Sequence, residues 1–225
     1  MSLLEKAYGR IPPLKRSAPV DELIRTVLSQ NTSDKNSVPA FHALKRAFRS
    51  WDAVLRADRK KVAGIIRHAG LANIKAARIK EVLAEIRRRE GRISLAKLGR
   101  MSAEEAAGYL ESIKGIGPKT TACVLLFSFG KPVMPVDTHI FRVAKRLGLI
   151  GNNIAINEAH RALTSIVPRD LIYKFHLCII EHGRRTCKAI RPSCEACVLY
   201  DMCGFKLKSF YASQARYKQE EKPCR

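Results

Sequence analysis

Aromatic side chains are scarce in this sequence: they make up 7% of its 225 residues, with a single tryptophan. A platform that stacks single-stranded bases on aromatic rings is therefore disfavoured. Acidic residues are few as well, 20 against 42 Lys and Arg. Long apolar runs are missing, because charges interrupt every candidate, and this excludes a helical span of a bilayer. No apolar, cleavable stretch leads the chain, so an intracellular and soluble protein is expected, cytoplasmic if the source is prokaryotic, with reduced thiols. Alternating strand-like runs are hard to find.

What is abundant is positive charge and helical periodicity. The formal net charge is +22, a self-repelling surface that a polyanion would neutralise, and gripping duplex phosphates is the reading that charge and aromatic scarcity share. Hydrophobic residues at 46% suffice for a substantial core. The periodicity predicts an all-α fold. Leu23, Ile24, Val27 and Leu28 follow Asp21 as an expected N-cap, and Val62, Ile65 and Ile66 follow Asp58 and stop at Gly70. Ile79, Val82, Leu83 and Ile86 form an i, i+3, i+4, i+7 stripe that ends in Arg87, Arg88, Arg89 and Gly91. Ser102-Ala103-Glu104-Glu105 reads as a capping box. Later helices are expected from about Asn157 to Ile166 and from Asp170 to His182.

Two local patterns carry chemistry. Cys187, Cys194, Cys197 and Cys203 follow C-x6-C-x2-C-x5-C, and four thiolates so close in sequence can converge on one soft metal centre. Zinc sites usually come as two short pairs, and only one tight pair is present, so the spacing favours a [4Fe-4S] cluster over zinc. Cys123 and Cys178 stand among apolar neighbours and read as small buried hydrophobes, while Cys224 reads as a free thiol in the tail.

The second pattern is Lys114-Gly115-Ile116-Gly117-Pro118-Lys119, too short for an ordinary loop between helices. Pro118 suits the first helical position. Gly115 and Gly117 can adopt angles that aim N–H groups at a phosphate oxygen, a contact with DNA backbone that reads no sequence, or they can simply join two helices tightly. After Pro132 and Pro135, Asp137 or Thr138 is expected to cap a helix through Val143.

The helix-hairpin-helix Ile113-Lys114-Gly115-Ile116-Gly117-Pro118-Lys119-Thr120, the block Val136-Asp137-Thr138-His139-Ile140-Phe141-Arg142-Val143 and the cysteine loop, in that order, resemble the DNA glycosylases of the endonuclease III family. The likeness runs from roughly Asp21 to Cys203. It implies two helical domains. One would be a six-helix barrel over residues 21–131 that contains the hairpin; the other would join residues 1–20 to 132–225 and hold the cluster loop, with the active site in the cleft between them.

The resemblance further implies base excision from double-stranded DNA by a monomer, with Lys119 and Asp137 as the catalytic pair. Cleaving an N-glycosidic bond develops positive charge on the sugar, which a carboxylate such as Asp137 stabilises. A lysine amine with a lowered pKa can attack C1′ and form a Schiff base, and Lys119 occupies the family's position for it. Gln30 or Asn31, with Leu71 from a second loop, would fill the gap left by a flipped nucleotide. Lys188 and Arg191 would meet phosphates from a cluster-anchored turn. His139 and Arg142 would either line the cleft or support packing. A bifunctional glycosylase and abasic-site lyase acting on damaged pyrimidines is the expectation; a uracil or thymine mismatch glycosylase and a non-catalytic damage-binding protein are the alternatives.

Overall fold

The computed structural model describes residues 1–220; Cys224, expected as a free thiol, lies outside the described residues. Among the described residues every regular element is a helix. The chain divides into two compact units, Lys15–Lys131 and a second built from Met1–Leu14 with the residues from Pro132 on.

The unit Lys15–Lys131 contains α2 (Pro19–Ser29), α3 (Asp34–Ala47), α4 (Trp51–Arg56), α5 (Arg59–Ile65), α6 (Ala72–Glu90), α7 (Ala103–Glu111) and α8 (Pro118–Phe129). These are seven α-helices where six were expected; Asp58 opens α5 as expected, accepting from the N–H groups of Lys60 and Lys61. The unit also begins ahead of residue 21. Ser17 N–H donates to the Phe127 carbonyl at 3.0 Å and Ser17 Oγ to Glu22 at 2.9 Å, which tethers the lead-in strand of chain to both α8 and α2. Asp21 is not the N-cap of α2. Pro19, with φ already preset, starts the helix after Ala18, and the Asp21 carboxylate accepts instead from Trp51 Nε1 at 2.7 Å.

The expected stripe on α6 is the centre of this unit. Ile79, Val82, Leu83 and Ile86 are fully buried, each contributing roughly 1.5–3 kcal/mol of burial free energy. Gly91 ends the helix in the left-handed conformation, and Ser102 closes a capping box with Glu105 at the start of α7.

The other unit contains α1 (Ser2–Tyr8), α9 (Thr138–Arg146), α10 (Ile156–Ile166), α11 (Ile172–Arg185) and α12 (Lys208–Glu220). Helices α9 and α11 pack side by side, and Gly183 sets how closely: a Cβ there would fall 2.9 Å from the Cβ of His139. Tyr8 of α1 hydrogen-bonds His182 Nδ1 at 2.7 Å and Thr186 Oγ1 at 2.8 Å, fixing the N-terminal helix to the end of α11. Cys123 and Cys178 are buried in the two cores as small apolar groups. No helix among the described residues is long and apolar enough to cross a membrane.

Candidate functional site

The hairpin follows from one left-handed residue. Gly115 has φ +89°, which an L side chain rarely adopts, and a Cβ built there would collide with the Arg78 guanidinium, whose Nη1 donates to the Lys114 carbonyl at 3.1 Å. Gly117 does not take a glycine-only backbone angle. Its φ of −103° is open to any residue and a Cβ would meet nothing within 4 Å, so its lack of a side chain leaves open space at the N-cap of α8 rather than relieving strain. Pro118 takes the first turn of α8. Lys119 follows it, half-buried, on the turn where backbone N–H groups lack intrahelical partners.

In the other unit Asp137, half-buried, is the N-cap of α9, and its Oδ1 accepts from Ile140 N–H at 2.8 Å. Thr138 is the first helical residue and not the cap. The backbone leading into Asp137 is held by buried histidines: His160 Nδ1 meets the Met134 carbonyl at 2.9 Å and His176 Nδ1 the Pro135 carbonyl at 2.9 Å. His139 and Arg142 take up packing roles. Arg142 Nε donates to the Cys187 carbonyl at 3.0 Å and its Nη2 to Gly183 at 2.8 Å, while His139 Nδ1 lies 3.2 Å from the same guanidinium.

The four cysteines of the C-terminal loop line one cavity together with Val143, Arg146, His182, Pro192 and Phe205. Burial, followed by the negative charge of Cys197, Cys187 and Cys203, pushes the Cys194 thiol up to about 11, as expected of sulfurs facing one another. Cys194 is buried and the other three partly exposed. Arg146 Nη1 lies 3.4 Å from Cys187 Sγ and 2.7 Å from the Lys188 carbonyl, and His182 Nε2 lies 3.7 Å from Cys197 Sγ. A soft, four-thiol donor set in a mainly apolar pocket with N–H groups near the sulfurs fits an iron-sulfur cluster.

The loops expected to meet DNA are shaped by strain. Asn31, Leu71 and Arg191 are the non-glycine residues with positive φ among the described residues, at 52°, 51° and 51°. Three of the expected contacts thus sit at forced turns, a feature common at ligand-binding loops. Leu71, 52% exposed, is a large apolar side chain held in solvent. Asn31, Lys188 and Arg191 are exposed and Gln30 is half-buried. Sequence reasoning missed Lys75 and Arg146. Both carried a signal: Lys75 continues the apolar stripe of α6 one turn before Ile79, and Arg146 follows Arg142 by one turn of α9.

Comparison with known proteins matches residues 24–169 to the HhH-GPD superfamily of base excision DNA repair proteins and residues 187–203 to the iron-sulfur binding domain of endonuclease III. The second match begins and ends on cysteines of the loop. A protein of Arabidopsis thaliana named as a DNA glycosylase is 39% identical over 73% of this chain, which spans 56% of that relative's length. Endonuclease III of Sulfolobus acidocaldarius is 36% identical over 82% of this chain and 81% of its own. A solved non-covalent endonuclease III–DNA complex aligns with a TM-score of 0.75 at 26% identity, over 96% of this chain and 94% of that one. With the hairpin, the capped α9 and the four-cysteine loop all inside the matched segments, the chain belongs to the endonuclease III family of HhH-GPD base excision repair proteins and carries that family's iron-sulfur binding domain.

Proposed function

We propose that this protein excises damaged pyrimidines from double-stranded DNA and then cleaves the strand at the abasic site, with Lys119 as nucleophile and Asp137 as the charge-stabilising carboxylate. The observation that carries this reading is that Lys119 in the first turn of α8 and Asp137 at the N-cap of α9 both fall inside the segment matched to the base excision repair superfamily. Asp137 caps α9 through Oδ1, and the charge of a capping carboxylate is still felt by a cation developing on the sugar. The Lys119 amine gives up a proton and bonds to C1′ as the glycosidic bond breaks, and the base leaves with the electron pair and takes up a proton; the nitrogen lone pair then expels O4′, which is protonated as the sugar ring opens to the Schiff base. Loss of a C2′ proton from the resulting Schiff base then expels the 3′ phosphate.

The +22 charge supports binding to duplex DNA, and the relatives include a structure solved with DNA. Phosphate contacts from the open N-terminus of α8 beside Gly115 and Gly117, and from Lys188 and Arg191, would position the duplex without reading sequence. Gln30 or Asn31, together with Leu71 from the second loop, would occupy the gap left by the extruded nucleotide. Cys187, Cys194, Cys197 and Cys203 would hold the cluster, which supplies a rigid anchor for the Lys188–Arg191 turn. A single chain acts, in the compartment that contains the DNA.

The test is borohydride trapping on duplexes that contain one thymine glycol, one uracil or one abasic site. Wild type should give a covalent adduct on thymine glycol and the abasic site, and Lys119→Gln should give none while still binding DNA. Trapping in Lys119→Gln would assign the amine elsewhere. Excision confined to the uracil duplex would replace damaged pyrimidines by a mismatch substrate, and no excision from any duplex would leave only damage binding.

A further inference from the structure

Lys75 is buried in the core, 3% exposed, and no carboxylate accompanies it among the described residues. Burying an ammonium group this way costs several kcal/mol unless its protons are bound. They are: Nζ donates at 2.7 Å to the Leu28 carbonyl and at 2.7 Å to the Ala69 carbonyl. Burial pushes the amine below the usual lysine range, and the two carbonyl dipoles favour its charged form.

The identity of those carbonyls is the informative point. Leu28 is in the last turn of α2, directly ahead of Ser29-Gln30-Asn31-Thr32, and Ala69 directly precedes Gly70-Leu71. The backbone N–H of Lys75 also donates to the Leu71 carbonyl at 2.9 Å. One residue therefore fastens the base of both loops, and each loop holds a non-glycine residue in the left-handed region, Asn31 at φ 52° and Leu71 at φ 51°. A polar tip and an apolar tip, both exposed, are kept apart by a single ammonium group. An apolar isostere at this position would fill the space but leave the two carbonyls without this donor, removing the hydrogen-bonded tie between the loops.

We propose that Lys75 is a positioning residue for a two-part wedge: its ammonium group fixes the spacing between the Asn31 and Leu71 loops so that both enter the stack where a nucleotide has been extruded. It does so without touching DNA. This rests on the reading that these loops enter the duplex. Since extrusion costs a few kcal/mol that the filling groups must offset, a loop displaced by about 1 Å weakens the extruded complex far more than plain duplex binding.

The experiment compares affinity for a duplex with one tetrahydrofuran abasic analogue against the undamaged duplex, with 2-aminopurine fluorescence opposite the analogue as a report of stacking. Lys75→Met should lower the preference for the analogue by about tenfold or more and reduce the fluorescence change. Its affinity for undamaged duplex, and the salt dependence of that affinity, should stay at wild-type values. Lys75→Gln keeps one N–H donor, should fall between the two, and serves if the methionine variant fails to fold. A folded variant of either kind with the wild-type preference overturns the proposal.

Leu71→Ala and Asn31→Ala separate the proposal from its premise. If they lower the preference and Lys75→Met does not, the wedge stands and Lys75 is not its clamp. If neither lowers it, the wedge reading fails and the proposal falls with it. In the wild-type protein, amide hydrogen exchange at both loops should slow together on binding the analogue duplex. Protection of one loop alone would count against a common fastening.

Discussion

Arg142 and Cys187 join the helix that starts at Asp137 to the loop that contains the four cysteines: the guanidinium Nε donates to the Cys187 carbonyl at 3.0 Å, one helix turn beyond the cap. The same guanidinium reaches Gly183, and Arg146 on the next turn reaches the Lys188 and Ala189 carbonyls. Two arginines that contribute to the net charge are therefore spent inside the fold. Lys80, Lys131 and Lys208 likewise donate to backbone carbonyls at the ends of turns and helices.

Arg142→Ala should destabilise the cysteine loop by about 2 kcal/mol, the scale of two charge-assisted bonds to partly buried carbonyls. Iron per chain and visible absorbance should fall, and a thermal melt should show the loss. Unchanged iron content and melting would mean that the loop is held by its cysteines alone.

Replacing the charge of Asp137 while keeping its shape isolates the chemical role from the cap. Asp137→Asn retains a side-chain oxygen for the Ile140 N–H, so the fold should persist. Single-turnover base excision should drop by about a hundredfold or more, the scale of a few kcal/mol of lost charge stabilisation, while trapping at a preformed abasic site continues.

The two hairpin glycines should part company. Gly115→Ala forces a side chain into φ +89° and onto Arg78, and should destabilise the protein by roughly 1–2 kcal/mol in denaturant melts. Gly117→Ala enters open space at an ordinary φ and should leave stability nearly unchanged. If DNA backbone approaches that space, its cost will appear in duplex affinity.

Salt titration tests the exposed turn. Lys188→Ala and Arg191→Ala should each reduce the slope of log affinity against log salt by about one, one phosphate contact each, without altering which base is removed. An unchanged slope would remove these side chains from the interface.

Glu22 supplies a pH dependence. Burial, only partly offset by Arg25 and Ser17, raises its carboxyl above the usual range, so the folded state prefers the proton more than the unfolded state does. That preference stabilises fully below the ordinary Glu range and is lost as pH rises through the folded pKa. Glu22→Gln, which cannot ionise and can still accept from Ser17, should therefore melt higher than wild type at pH 7. The difference should vanish near pH 4. An equal melting temperature at both pH values would show that the buried carboxyl is hydrated.

The sequence alone determined what depends on near neighbours. Helix spacing, the Asp58 cap, the Ser102 capping box, the Gly91 terminus and the hairpin from Gly115 to Pro118 are decided within a few residues, where periodicity and turn chemistry act. The cysteine spacing likewise proclaimed a soft-metal loop. Where local signals competed, they misled at Asp21, which looked like a cap although Pro19 began the helix first; of the two hairpin glycines, to which the left-handed region is equally open, Gly115 alone takes it. Tertiary structure decided which charges face solvent. Lys75 bonds a carbonyl 47 positions away, Arg142 one 45 positions away, and Tyr8 a histidine 174 positions away. A long cationic side chain is read from sequence as surface; its fate as an internal clamp depends on which distant carbonyls the packed helices leave unpaired, and only the assembled fold specifies those.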